Sequence, residues 1–200
     1  MLDGPARRLL AAPLAGVGRR LAGWGVTANQ LTAVGFALGV SSAVAAAAAW
    51  WTTALGLWLA SRLADGLDGA VAREVGVTDL GGYLDIVADF VVYGAFVVGV
   101  AIALPDARLA LAVLLLTYYI NGTTLLAFSS LAERRRLTTG DDRSVRFTGG
   151  LAEGTETIIV HSLFVLLPAL AGPIAWAFAA VVAVTAAWRV GLAIRALRPA

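Results

Sequence analysis

Long apolar runs separated by short polar breaks organise this chain. Six runs approach the roughly 20 residues that a helix needs to cross the hydrocarbon of a bilayer: 30–50, 52–73, 80–104, 108–131, 148–170 and 174–195. The breaks carry turn or interface residues: Trp50-Trp51, the short turn 74–79, Pro105-Asp106, the run Glu133 to Arg146, and Gly172-Pro173. The pattern predicts an all-α integral membrane protein with six transmembrane helices. Ahead of the first run, residues 5–24 carry arginine pairs at either end, with Leu9, Leu10, Leu14, Val17, Leu21 and Trp24 between them. That segment is too charged to span and predicts an amphipathic helix lying in the membrane interface.

Composition narrows the class without changing it. Hydrophobic residues make up 60% of the chain and charged residues 14%, against about a quarter charged in soluble domains. At 200 residues the chain is expected to form one membrane domain, 1–200, with no room for a sizeable soluble module. The absence of cysteine excludes disulfides, thiolate metal sites and thiol chemistry. His161, the one histidine, lies in an apolar run and reads as a packed side chain and not a ligand. The first residues lack the uninterrupted apolar core of a secretory signal, so the N-terminus is expected to be retained.

The net charge of +2 is less telling than where the arginines stand. Arg7, Arg8, Arg19 and Arg20 precede the first run, and Arg62 and Arg73 lie in the end half of the second. Arg134, Arg135, Arg136, Arg143 and Arg146 follow the fourth run, and Arg189, Arg195 and Arg198 close the chain. With six spans all of these fall on one side and only Arg108 on the other. The positive-inside rule then predicts cytoplasmic N- and C-termini.

One stretch breaks the apolar pattern. Residues 65–89, DGLDGAVAREVGVTDLGGYLDIVAD, place Asp65, Asp68, Asp85 and Asp89 at the cytoplasmic ends of the second and third spans. On a helix Arg62, Asp65, Asp68 and Ala72 share one face, and Asp85 and Asp89 share another. The short turn makes these helices antiparallel neighbours, so the two aspartate pairs can converge on one cleft. Carboxylates brought that close repel one another, and Arg62 and Arg73 are too few to balance them. A divalent cation is the economical partner. An oxygen-only ligand set favours Mg²⁺ or Mn²⁺ over zinc or copper, and Mg²⁺ usually completes its shell with substrate phosphate and water. The cluster therefore points to a diphosphate substrate. Gly69, beside Asp68, reads as room for a ligand, and Gly81 as a helix–helix contact.

The same stretch resembles the signature of the CDP-alcohol phosphotransferases, D-x2-D-G-x2-A-R-x8-G-x3-D-x3-D. Asp65, Asp68, Gly69, Ala72, Arg73, Gly82, Asp85 and Asp89 are read as its fixed residues. TANQLT at 27–32 is similar to the family's P-N-x-x-T element, with Ala28 where proline is usual. MLD at the start and GGLAEGTET at 149–157 resemble a bacterial inner-membrane branch of the family.

The resemblance implies a homodimeric bundle of six spans after an interfacial helix, working in the inner membrane with its active site facing the cytoplasm. It implies transfer of a phosphatidyl group from CDP-diacylglycerol to an alcohol, with release of CMP, in phospholipid biosynthesis. One or two Mg²⁺ or Mn²⁺ ions would be held by Asp65, Asp68, Asp85 and Asp89, with Asp89 as general base for the acceptor hydroxyl. Asn29, Thr32, Asp65, Asp68, Gly69, Ala72, Arg73 and Gly82 would bind the CDP moiety. Arg143, Arg146 and Arg189 stand where related branches hold an acceptor phosphate, and Glu153 and Glu156 share a helical face nearby. The two carboxylates favour a neutral or cationic acceptor.

Two other classes use intramembrane carboxylates. Intramembrane Mg²⁺-dependent prenyltransferases resemble longer bundles with two aspartate motifs, whereas this chain has one. A cation or proton transporter spreads its acids across the bilayer, whereas here they gather at one face. No nucleic-acid partner is expected.

Overall fold

The computed structural model describes residues 3–135 and 151–197, and every regular element among them is helical. In chain order these are α1 (Asp3–Gly23), α2 (Ala28–Ala47), α3 (Trp51–Val75), α4 (Asp79–Ala103), α5 (Arg108–Arg134), α6 (Gly154–Leu166) and α7 (Ala171–Leu197). Short 3₁₀ turns at Pro105–Ala107 and Pro168–Leu170 lead into α5 and α7.

Among the described residues, four stretches are long and apolar enough to cross a membrane: Ala28–Ala47, Asp79–Ala103, Pro105–Arg134 and Pro168–Leu197. The second and fifth expected spans differ, each for its own reason. Helix α3 has the length, at 25 residues, but carries Arg62, Asp65, Asp68, Arg73 and Glu74. Helix α6 has 13 residues, where 148–170 was expected to be one span. Leu167, just before Pro168, leaves the helical region at φ −130° and ψ 60°, as the residue before a proline tends to do. The break expected at Gly172-Pro173 therefore falls at Pro168 instead. Pro173 sits in the first turn of α7, where its missing N–H would have had no intrahelical partner.

Capping sets the helix starts near the aspartates. Thr27 closes α2 with a capping box: its hydroxyl accepts from the Gln30 N–H at 3.3 Å, and its own N–H donates to Gln30 Oε1 at 2.9 Å. Ala28 is the first helical residue, the position where proline is favoured for its preset φ; the box defines the same start by hydrogen bonding. Between α3 and α4 the chain turns at Gly76, whose φ of +105° suits glycine alone. Thr78 then caps α4 by accepting from the Gly81 N–H at 3.1 Å.

Small residues govern the packing of α2 against α3 and α4. A Cβ placed on Gly39 would lie 2.4 Å from Val92, and one on Gly99 would lie 2.2 Å from the Ala43 carbonyl oxygen. The Ser61 hydroxyl donates to the Gly35 carbonyl at 2.7 Å. Lipid gives no hydrophobic drive for helices to associate, so close backbone approach and hydrogen bonds of this kind supply the attraction. Helices α5 and α7 form a second closely packed pair, and α6 bridges it to α3.

Trp58, Phe96, Leu111, Leu114, His161 and Phe164 are fully buried at the centre. His161 stacks on Phe96 at 5.3 Å between ring centroids, and its Nε2 lies 3.0 Å from the Tyr118 hydroxyl. It is a packed side chain, far into the apolar core. Helix α1 docks on α3 through Leu14 over Gly66 and Gly18 against Ala70. Its expected apolar face is thus divided: Leu14 and Leu21 are half-buried, while Leu9, Leu10 and Trp24 are exposed.

Candidate active site

The α3–α4 turn brings the aspartates together. One carboxylate oxygen from each of Asp65, Asp68 and Asp85 lies within 4.8 Å of the other two. Asp68 is buried, and Asp65 and Asp85 are half-buried. From the third helix of the group, the Thr32 hydroxyl donates to Asp68 Oδ2 at 2.7 Å.

Asp89 adjoins this triad on the Asp65 side. Its Oδ1 accepts from Nη1 of Arg62 at 2.5 Å, and the same nitrogen is 3.7 Å from Asp65 Oδ1. The Arg62 side chain is 6% exposed. Its guanidinium carbon lies 5.1 Å from the Trp58 ring centroid and 4.8 Å from that of Tyr93, within cation–π range.

The triad fits a hard divalent cation. Its donors are carboxylate oxygens alone, and one buried guanidinium faces four carboxylates across the cluster. Mg²⁺ and Mn²⁺ prefer such a donor set.

Around the triad, a Cβ on Gly69 would meet only Arg73 Nη1, at 3.5 Å, so this side of α3 is open. Ala72 is half-buried and Arg73 is exposed at the end of α3. The glycine of the signature needs correction. Three residues must lie between the glycine and Asp85, which makes it Gly81 and not Gly82, and only seven residues then separate it from Arg73. The connection is one residue shorter than the family pattern. Geometry agrees with the reassignment: a Cβ on Gly81 would lie 3.1 Å from Asn29 Oδ1 and 3.0 Å from Thr78 Oγ1. Gly81 lets the start of α4 close on the start of α2. Gly82 is half-buried, and its N–H donates to the Thr78 carbonyl at 3.0 Å.

The expected acceptor residues divide. Arg143 and Arg146 lie outside the described residues. Glu153 and Glu156 form a capping box at the start of α6: the Glu153 N–H donates to Glu156 Oε2 at 3.3 Å, and the Glu153 carboxylate accepts from the Glu156 N–H. On α7 the buried Arg189 donates to Asn121 Oδ1 on α5 at 2.7 Å. The segment before α6 is tied to the same helix, since the Ala152 N–H donates to Thr185 Oγ1 at 3.2 Å.

Arg62, Trp58 and Tyr93 are the residues that the sequence reading left out of the site. The three-residue spacing from Arg62 to Asp65 was the available signal, but reading it only as charge balance hid its direct contact with Asp89.

A bundle of apolar helices with carboxylates gathered on two adjoining members defines a membrane protein equipped to hold a cation. More narrowly, the chain belongs to the CDP-alcohol phosphatidyltransferase family, whose sequence profile matches residues 25–188. It is a membrane transferase of phosphate-containing groups in phospholipid biosynthesis. The chain is 42% identical over 148 residues to the inner membrane protein YnjF of Escherichia coli (strain K12), covering 72% of each protein. Its fold is similar to that of Mycobacterium tuberculosis phosphatidylinositol phosphate synthase (PgsA1). Against the crystal structure with CDP-DAG bound, the TM-score is 0.73 at 22% identity, over 94% of this chain and 98% of that one. Against the complex with manganese and citrate it is 0.74 at 21% identity, over 94% and 93%.

Proposed function

We propose that this protein transfers a phosphatidyl group from CDP-diacylglycerol to an alcohol and releases CMP, using one or two Mg²⁺ or Mn²⁺ ions. The observation that carries the reading is the convergence of Asp65, Asp68 and Asp85 within 4.8 Å, with Asp89 adjoining. It is supported by the family, and by structural neighbours that include one synthase with CDP-DAG and with manganese.

Asp65, Asp68 and Asp85 would hold the cation, and Asp89 would join them where two ions bind. When bound, the cation would offset the diphosphate charge and stabilise the charge developing on the leaving phosphate oxygen. Thr32 orients Asp68. Gly69 and Ala72 leave space for the cytidine end, Arg73 offsets diphosphate charge, and Asn29 meets the donor beside Gly81 and Gly82. Asp89 receives the alcohol's proton as the new O–P bond forms and the P–O bond to CMP breaks. Phosphoryl transfer depends mainly on positioning and charge neutralisation, and these residues supply both.

The acceptor lies toward α5, α6 and α7, near Arg189, Glu153 and Glu156, with Arg143 and Arg146 contributing from the preceding segment of the sequence. In the membrane, α3 and α6 join the four apolar stretches to make six spans. Arginine placement supports cytoplasmic termini and a cytoplasm-facing site in the bacterial inner membrane, and the resemblance supports a homodimer.

The test is direct. Purified protein is given Mn²⁺ or Mg²⁺, CDP-diacylglycerol and single alcohols, and CMP is measured. Release of CMP with one alcohol class supports the reading. No CMP with any alcohol, alongside metal flux in liposomes, overturns it.

A further inference from the structure

A buried arginine bridges Asp89 and Asp65, with its Nη1 against Asp89 and 3.7 Å from Asp65 Oδ1. Arg62 has little freedom. Its Nη1 contacts Asp89 and its Nη2 donates to the Ser61 hydroxyl at 3.0 Å. That hydroxyl in turn donates to the Gly35 carbonyl on α2. Trp58 on α3 and Tyr93 on α4 flank the guanidinium, and the Trp58 indole N–H donates to the Ile158 carbonyl on α6 at 3.4 Å. Arg62 is therefore held by α2, α3 and α4, with α6 behind Trp58.

A charged group this buried in a lipid-facing bundle is costly and marks function. Packing alone does not account for it, because an apolar residue would fill the space beside Trp58 and Tyr93 at less cost. A guanidinium also differs from an ammonium in offering a rigid, planar fork of donors, which fixes the orientation of a carboxylate as well as its charge.

We propose that Arg62 is the positioning residue for Asp89. It fixes the direction of that carboxylate beside Asp65, so that Asp89 is presented to the alcohol's proton at the edge of the Asp65–Asp68–Asp85 triad. The inference rests on the phosphatidyl-transfer reading and extends it to a residue outside the family signature.

The experiment compares wild type, Arg62→Gln, Arg62→Lys, Asp89→Asn and the double variant Arg62→Gln/Asp89→Asn. It uses the full chain with CDP-diacylglycerol and whichever alcohol the wild type accepts. Mn²⁺ binding is followed by electron paramagnetic resonance. Positioning predicts that Arg62→Gln lowers kcat about 100-fold, as a small misplacement of a reacting group can. KM for the donor should stay within about threefold, because binding common to ground and transition states is untouched. Mn²⁺ should bind with wild-type stoichiometry, Arg62→Lys should recover part of kcat, and Arg62→Gln should add nothing on the Asp89→Asn background. Wild-type kcat in Arg62→Gln would overturn the assignment, as would loss of Mn²⁺ binding together with kcat. A wild type that releases no CMP with any alcohol would instead overturn the reaction reading, and this inference with it.

Discussion

The hydroxyl of Thr32 and the Oδ2 of Asp68 meet at 2.7 Å across 36 positions of sequence, joining α2 to the carboxylate triad on α3 and α4. Asp68 is the most buried of the three, at 5% exposure, so few other donors can reach it. Thr32→Val keeps the shape and removes the donor. Partners one step behind a metal ligand typically carry about 10- to 100-fold in affinity or activity. The donor kcat/KM is expected to fall by about that amount in Thr32→Val and to be largely kept in Thr32→Ser, measured by CMP release.

Asp89→Asn should leave a folded protein that still binds CDP-diacylglycerol but cannot accept the alcohol's proton. A positioned base contributes about 10²- to 10⁴-fold, and kcat should fall within that range. Near-normal turnover would refute the base assignment.

Chelation with EDTA should stop CMP release, and added Mn²⁺ or Mg²⁺ should restore it. Asp68→Asn or Asp85→Asn removes a charge from the three-carboxylate group. Each should weaken Mn²⁺ binding by at least the roughly 10-fold seen for groups behind the ligands. Titration of the purified variants with Mn²⁺ checks this without reference to turnover.

Packing of α2 against α4 can be tested by a single methyl group. Gly99→Ala would drive its Cβ to 2.2 Å from the Ala43 carbonyl oxygen, which is backbone and yields little. A loss of about 1–3 kcal/mol, or failure to fold, is expected. On the same helix, Gly94 has nothing within 4 Å of its added Cβ. Gly94→Ala should change stability by no more than about 0.5 kcal/mol. Thermal unfolding in detergent compares the two.

The acceptor can be narrowed by screening. Glu153 and Glu156 already serve the start of α6 as a capping box, yet they add two carboxylates near the proposed acceptor end. Neutral or cationic alcohols should be used in preference to phosphorylated ones. Strict use of glycerol phosphate or inositol phosphate would sink that expectation.

Much of the helical pattern was legible in the apolar runs, because a segment facing lipid must satisfy its backbone within itself. Starts and stops were less so. Pro168 and Pro173 look alike in sequence, but one follows a residue that leaves the helix and the other lies in a first turn where its missing N–H costs nothing. The aspartate motif was legible because three- and four-residue spacings put its members on shared faces. Its glycine was misplaced by one residue, which the three-residue spacing to Asp85 corrects, and the approach of Asn29 to Gly81 shows what that glycine allows.

The sequence by itself determined that this is a helical membrane protein, that its carboxylates gather near one end of two neighbouring helices, and that oxygen ligands and a diphosphate suit them. Those properties follow from local periodicity, residue chemistry and a short turn. Only the tertiary structure decided that three aspartates converge while the fourth pairs with Arg62, that Thr32 reaches Asp68 from α2, and that Asn121 meets Arg189 across α5 and α7. These are contacts between helices. They depend on which faces small residues allow to approach, and one helix's periodicity holds no record of the angle at which another meets it.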